Sequence, residues 1–448
     1  MGVVMNSIFI ILTVSIAVSY GWGMRGTLLG GLRGAVLPGA LLGMFLAVFS
    51  GNEIIAKNFF IFAAAGASAM AFGGSETYGE TLGFITHRNG AEYNPKKGYI
   101  AVFLKGALWH GIAGAVLGIA FSAVSGKYYN GIDIVIVLAL IPFVSLLGEQ
   151  IFNKPYNRKE KIFPKIYFSI ERREEWGGNA LVVLMLLIFT LIRRDYYAFF
   201  FGIVGLLGGG AGFSIGMMLF DYIANPRKSG KAFAGKYNKY FGGWKAMEFS
   251  FGAIAGLFFA IYFVATKDTM LAERLCNVKD GLPVISSPLV PYSQILSYVS
   301  LALVPLVKVL TLFEDKLGDY VVDHLERPVL YVVPMILAVS GCELSAKLNA
   351  FALIVFFASE KVVFERNKKA KKSTKIVLGI VFGMFTLASV LLCIFIDIPF
   401  IAYILMYTVF YLVADNVPLR EFKEGRISVY SYFIAQTLFL IVTGLAAA

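Results

Sequence analysis

Stretches of roughly twenty apolar residues recur along the whole chain, separated by short connections that carry nearly all of the charge. These runs fall near 3–20, 34–50, 58–73, 100–124, 131–151, 179–193, 196–221, 247–265, 293–313, 328–345, 348–364, 375–396, 399–415 and 429–447. Each is long enough for a helix that crosses a bilayer. At 58% hydrophobic content over 448 residues, the chain is too apolar for a water-soluble domain. The pattern predicts an all-α, polytopic integral membrane protein of about 14 transmembrane helices arranged as helical hairpins. The first run has no basic stretch before it and leads into GWGMRG, not a small-residue cleavage site, so it reads as a retained helix.

Charge tests this layout. If the runs alternate in direction, most of the 40 Lys and Arg residues fall in the odd-numbered loops, such as 152–178, 222–246 and 365–374. That asymmetry predicts a plasma-membrane or inner-membrane protein with those loops in the cytoplasm and both termini outside. The net charge of +12 is thus read as topology, with no nucleic-acid partner implied. The three cysteines and three histidines lack ligand spacing, so neither a metal site nor a cofactor is expected.

The chain changes character after its eighth run. A Pro-containing connection over 266–292 separates a glycine-rich, pocket-forming half, 1–265, from a supporting half, 293–448. Gly39/Gly43, Gly114/Gly118, Gly208/Gly212/Gly216 and Gly252/Gly256 are spaced four apart in the first half, which predicts close helix contacts at those positions.

Polar residues gather where these helices meet the basic side. The stretch Gly73 to Asn89 places Glu76 and Glu80 one helical turn apart beside Tyr78, an arrangement suited to acid/base chemistry or to cation binding. All four tryptophans, Trp22, Trp109, Trp176 and Trp244, fall on or near the same side, one per hairpin, and the last three are 67 and 68 residues apart. An interfacial belt would populate both faces, so the one-sided set is read as stacking surfaces for a sugar ring or a cation. Around them lie Arg25, Arg33, His110, Glu149, Gln150, Glu174, Glu175, Asn179, Asp221, Lys245 and Glu248. Glu149 and Glu248 sit in apolar flanks, where a carboxylate needs a basic partner such as Arg25, Arg33 or Lys245. The letters of Gly21 to Gly26 match GxGxxG but follow a membrane helix instead of a strand, so no dinucleotide site is inferred.

Hairpins whose even-numbered helices begin at a mouth lined by carboxylates and tryptophans resemble the proposed transmembrane glycosyl hydrolases, with a toroid-like first half. The likeness is architectural and covers about 1–265. It implies a membrane-embedded hydrolase, glycosidase in type, using two carboxylates drawn from Glu76, Glu80, Glu149, Glu175, Asp221 and Glu248. Trp22, Arg25, Tyr78, Trp109, His110, Trp176, Asn179, Trp244 and Lys245 would bind the substrate. That substrate would be a carbohydrate or lipid-linked glycoside, in a pocket facing the cytoplasm and surrounded by membrane lipids. The alternative is a proton- or sodium-coupled secondary transporter of a sugar or cationic solute, in which the same acids bind the coupling ion.

Overall fold

The computed structural model describes residues 7–25, 33–74, 81–86, 93–153, 174–224, 230, 242–276, 278, 287–311, 319–352, 355, 372–405 and 427–447. Among them the regular structure is entirely helical. Five helices are long and apolar enough to cross a membrane: Ser7–Met24, Pro95–Ala123, Gly131–Asn153, Tyr196–Ile223 and Gly243–Leu275. Shorter apolar helices accompany them, a composition compatible with an integral membrane protein.

Six helices form a closed cycle of neighbours: α1 (Ser7–Arg25), α2 (Val36–Val48), α3 (Phe59–Gly73), α4 (Pro95–Ala123), α8 (Tyr196–Ala224) and α9 (Gly243–Thr266). Each packs on the next, and α9 returns to α1. Glycine makes these approaches possible. A methyl group built on Gly39 or Gly43 would collide with the Gly66 or Phe62 carbonyl of α3. On α4, Gly114 and Gly118 face Phe201 and Ala198 of α8, and Gly212 and Gly216 of α8 face the Phe251 and Met247 carbonyls of α9. A methyl group on Gly252 would come within 2.5 Å of the Val18 carbonyl oxygen of α1, Gly256 is closed off by the Ser15 and Val14 backbone, and Gly208 by the Phe258 side chain. Every glycine of the predicted set therefore lies at a helix crossing, and at all but Gly208 the nearest approach is to the neighbour's backbone.

Outside this ring, α5 (Gly131–Ala139) and α6 (Ile141–Gly148) make one apolar stretch broken at Leu140, where Pro142 opens the second segment. Asn130 and Asp133 form a capping box that starts α5. Helix α6 packs on α7 (Trp176–Ile192), which lies against α4. Some of the later helices dock on the ring and the others pack on those. α10 is Ser293–Thr311, α11 Asp319–Arg327, α12 Val333–Val339, α13 Glu343–Lys347, α14 Lys372–Phe395 and α15 Ile427–Ala447. α12 and α13 pack on α3, and α15 on α1.

Two features depart from the predicted runs. The stretch 314–327, expected as a loop, contains helix α11, which continues through a five-residue π turn at Pro328–Val332 into α12. The run expected over 328–345 ends early, at Val339. There Gly341 adopts φ +79°, and the Gly341 and Cys342 amides donate to the Ala338 and Leu337 carbonyls. This is a Schellman cap, which only a residue free of Cβ strain accommodates well.

Candidate functional site

Two polar assemblies occupy the ring's interior and its flank, and the first is built on tryptophan. Trp22 near the end of α1 and Trp109 within α4 stack face to face, with ring centroids 5.5 Å apart and planes 10° from parallel. Both are 0% exposed. Phe251 lies 4.4 Å from Trp22, and Phe213 covers the Trp109 ring at 5.7 Å. The Trp22 indole N–H donates to His110 Nε2 at 3.3 Å, while His110 Nδ1 is 3.1 Å from the Gly106 carbonyl one turn earlier. An indole nitrogen only donates and a carbonyl only accepts, so the imidazole is neutral with its proton on Nδ1. Together these side chains pack α1, α4, α8 and α9 against one another.

The second assembly is ionic and joins the two halves of the chain. Glu149 ends α6 and opens a π turn over Glu149–Asn153, and Glu175 precedes the first residue of α7. Both approach Arg327 at the end of α11: Nη1 is 3.4 Å from Glu149 and Nη2 is 3.0 Å from Glu175. His324, one turn back, is 3.1 Å from the second Glu149 oxygen. Beside them Lys105 of α4 pairs with Glu174 at 3.4 Å. Glu149, Glu174, Glu175, Lys105 and Arg327 are all buried, as is Glu326 next in the chain. Lys105 is ten residues into α4, about 15 Å along its axis.

Backbone contacts tie the two assemblies together. Asn179 Nδ2 donates to the Gly73 carbonyl at 3.0 Å, and Gly73 itself packs against the Trp109 backbone. The Asn153 side chain accepts from the Gly177 amide at 2.9 Å, clamping the π turn to the start of α7.

The remaining predicted site residues are dispersed. Lys245 and Glu248, three apart in the first turns of α9, pair at 3.2 Å, and Lys245 also donates to the Gly23 carbonyl at 2.6 Å. Asp221 is buried near the end of α8. Trp176 packs on Phe152, whereas Trp244 is 46% exposed and leans on Phe220. Glu76, Tyr78 and Glu80 lie outside the described residues, as do the side chains of Arg25 and Arg33. Thus the candidate acids Glu149 and Glu175 are brought together, and so are Trp22, Trp109 and His110. Lys245 and Glu248 form a pair of their own. His324 and Arg327 were not among the expected site residues. Their only signal in the sequence is Arg327 placed directly before Pro328 at the head of an apolar run.

The opposite end of the ring holds a separate ion pair. Arg274 Nη2 is 2.9 Å from Asp195, its Nε donates to Ser122, and its guanidinium lies over the rings of Tyr128 and Tyr197. Asp195 also accepts from Tyr129 at 2.7 Å and caps α8 through the Ala198 amide. Burial, reinforced by the Asp195 charge, holds the Tyr129 phenol well above the ordinary tyrosine range. Arg193 pairs with Asp133 nearby.

No family model, curated protein or solved structure matches this chain. Among the described residues no group of His, Cys, Asp and Glu is placed to hold a metal ion.

Proposed function

We propose that this protein is an ion-coupled secondary transporter of about fourteen spans, with Glu149 as the group that takes up and releases the coupling proton. The carrying observation is that buried Glu149 reaches both His324 and Arg327 across the boundary between the two halves of the chain. Ionisable side chains at such depth are costly and mark ion paths and proton relays. Carriers place their sites between packed halves, on helices whose regular turns are interrupted. Here one π turn, Glu149–Asn153, begins at the acid itself and a second, Pro328–Val332, begins directly after its partner Arg327. The stacked, enclosed indoles of Trp22 and Trp109 suit a plug at the centre of such a carrier better than open sugar platforms. On the charge bias, the ionic cluster lies toward the cytoplasm and the termini outside.

A membrane-embedded glycosidase is the second reading, and one observation favours it. Glu149 and Glu175 share a single guanidinium, close enough for paired carboxylates flanking a glycosidic bond. Its substrate would be a carbohydrate or lipid-linked glycoside.

Vesicles containing the purified protein separate these readings. With an imposed pH gradient, a panel of sugars, amines and fatty acids is added while internal pH is followed by dye. Dissipation of the gradient by one solute class, lost in Glu149→Gln, is the expected result. Release of reducing sugar from aryl or lipid-linked glycosides in detergent, with no solute-dependent proton movement, rejects the carrier.

A further inference from the structure

A groove of about 370 Å³ runs along the outer face between α6 and the α11–α12 segment. Phe143 and Leu146 form one wall, Val333 and Ile336 the other, and His324 and Arg327 stand at one end. From His324 to Ile336 the helical segment covers about 18 Å, enough for a medium-length alkyl chain. Phe143 is 70% exposed and Leu146 38%, so the groove opens sideways onto the apolar surface and not only at a helix end. Its volume lies within the range of ligand pockets.

The distribution of charge within the groove is specific. Among the described residues, both ionisable groups that line it carry N–H donors, and Arg327 is nearly fully buried. The carboxylates that neutralise them, Glu149 and Glu175, are not part of the lining and lie behind. A head group arriving along the groove therefore meets donors first. A cation would be repelled by that wall and a hydroxyl would accept only a weaker, one-point hydrogen bond, whereas a carboxylate head can take the Glu149 place on Arg327 and His324 with charge-assisted bonds. Removing Glu149 from its partners leaves a buried carboxylate without its cations, in a cluster that also holds buried Glu175, the other partner of Arg327, and Glu174, paired with Lys105. Binding a proton from water removes that cost, and the total charge of the cluster stays the same.

We infer that the groove between α6 and α12 binds a single-chain anionic amphiphile, a fatty-acid-type carboxylate, which enters sideways and is bound together with one proton on Glu149. This rests on the carrier reading above and names its solute class.

The test uses the full-length protein in lipid nanodiscs and radiolabelled dodecanoate, with empty nanodiscs subtracted. The expected result is saturable binding of one dodecanoate per chain, uptake of one proton per dodecanoate and at least tenfold weaker binding of dodecanol. Leu146→Trp, at the exposed rim, fills the groove and should lower dodecanoate binding at least tenfold without unfolding the protein. His324→Gln should weaken dodecanoate binding while leaving the groove open. Equal binding of dodecanol and dodecanoate, binding unaffected by Leu146→Trp, or binding without proton uptake overturns the inference. Dissipation of a pH gradient by another solute, with no dodecanoate bound, overturns it while leaving the carrier reading standing.

Discussion

Arg327 Nη2 stands 3.0 Å from Glu175 Oε1, an ion pair that fastens helix α11 of the second half to the start of α7 in the first. The same guanidinium reaches Glu149, so one residue pairs with two buried acids from two other elements. Arg327→Gln leaves both acids without their main countercharge. A loss of about 3–5 kcal/mol is expected, since breaking a buried pair strands a charge. Chemical unfolding in detergent measures it. Adding Glu175→Gln should recover part of the loss, and additive losses in the double variant would show that the two residues do not interact.

At the other end of the ring, Tyr129 provides a pH signature. Its phenol is raised by burial and by the neighbouring Asp195 charge, so the folded state holds this proton more tightly than the unfolded chain does. The contribution is complete below the unfolded phenol's value of about 10, and it is lost as pH rises through the elevated folded value. Stability should therefore fall as pH rises from about 10 toward the elevated folded value, and Tyr129→Phe should flatten that slope. Absorbance titration of phenolate, compared between the two proteins, should show one tyrosine fewer ionising late.

The glycine crossings make opposite predictions for two similar changes. Gly43→Ala drives a methyl group into the Phe62 carbonyl and should cost about 1–3 kcal/mol through overpacking. Gly379→Ala on α14 meets open space and should be neutral or stabilising, by up to about 1 kcal/mol from helix propensity. Equal effects at the two sites would mean that backbone contact does not hold α2 against α3.

Cys276 is exposed, whereas Cys342 and Cys393 are buried. A membrane-impermeant maleimide applied to intact cells should modify Cys276 alone, and Cys276→Ser should abolish labelling. Labelling only after permeabilisation would invert the proposed orientation.

Parts of this arrangement could be read directly from residue spacing. Glycines four apart mark helix crossings because no other side chain lets two backbones touch, and every predicted set, from Gly39/Gly43 to Gly252/Gly256, meets a neighbouring helix. Lys245 and Glu248 pair as their three-residue separation on one helix requires. Glu149 demanded a cation, but the sequence does not reveal which one. Arg327 lies 178 positions away in a segment that resembles an orienting loop charge, and only the docking of the second half brings it near. The gathering of Trp22 and Trp109 was legible, but their mutual stacking was not. An indole near a helix end has the same sequence signature whether it faces a cavity or another indole.

The glycine-lined ring also restricts where the molecule can move. At the glycine crossings the six helices touch backbone to backbone, and there the side-chain layer that accommodates small shear motions between packed helices is missing. In the carrier proposed above the ring would be the stator, and the working stroke would belong to the peripheral layer, where α6, α11 and α12 meet across an apolar groove and wide turns and where the acids of one half face the guanidinium of the other.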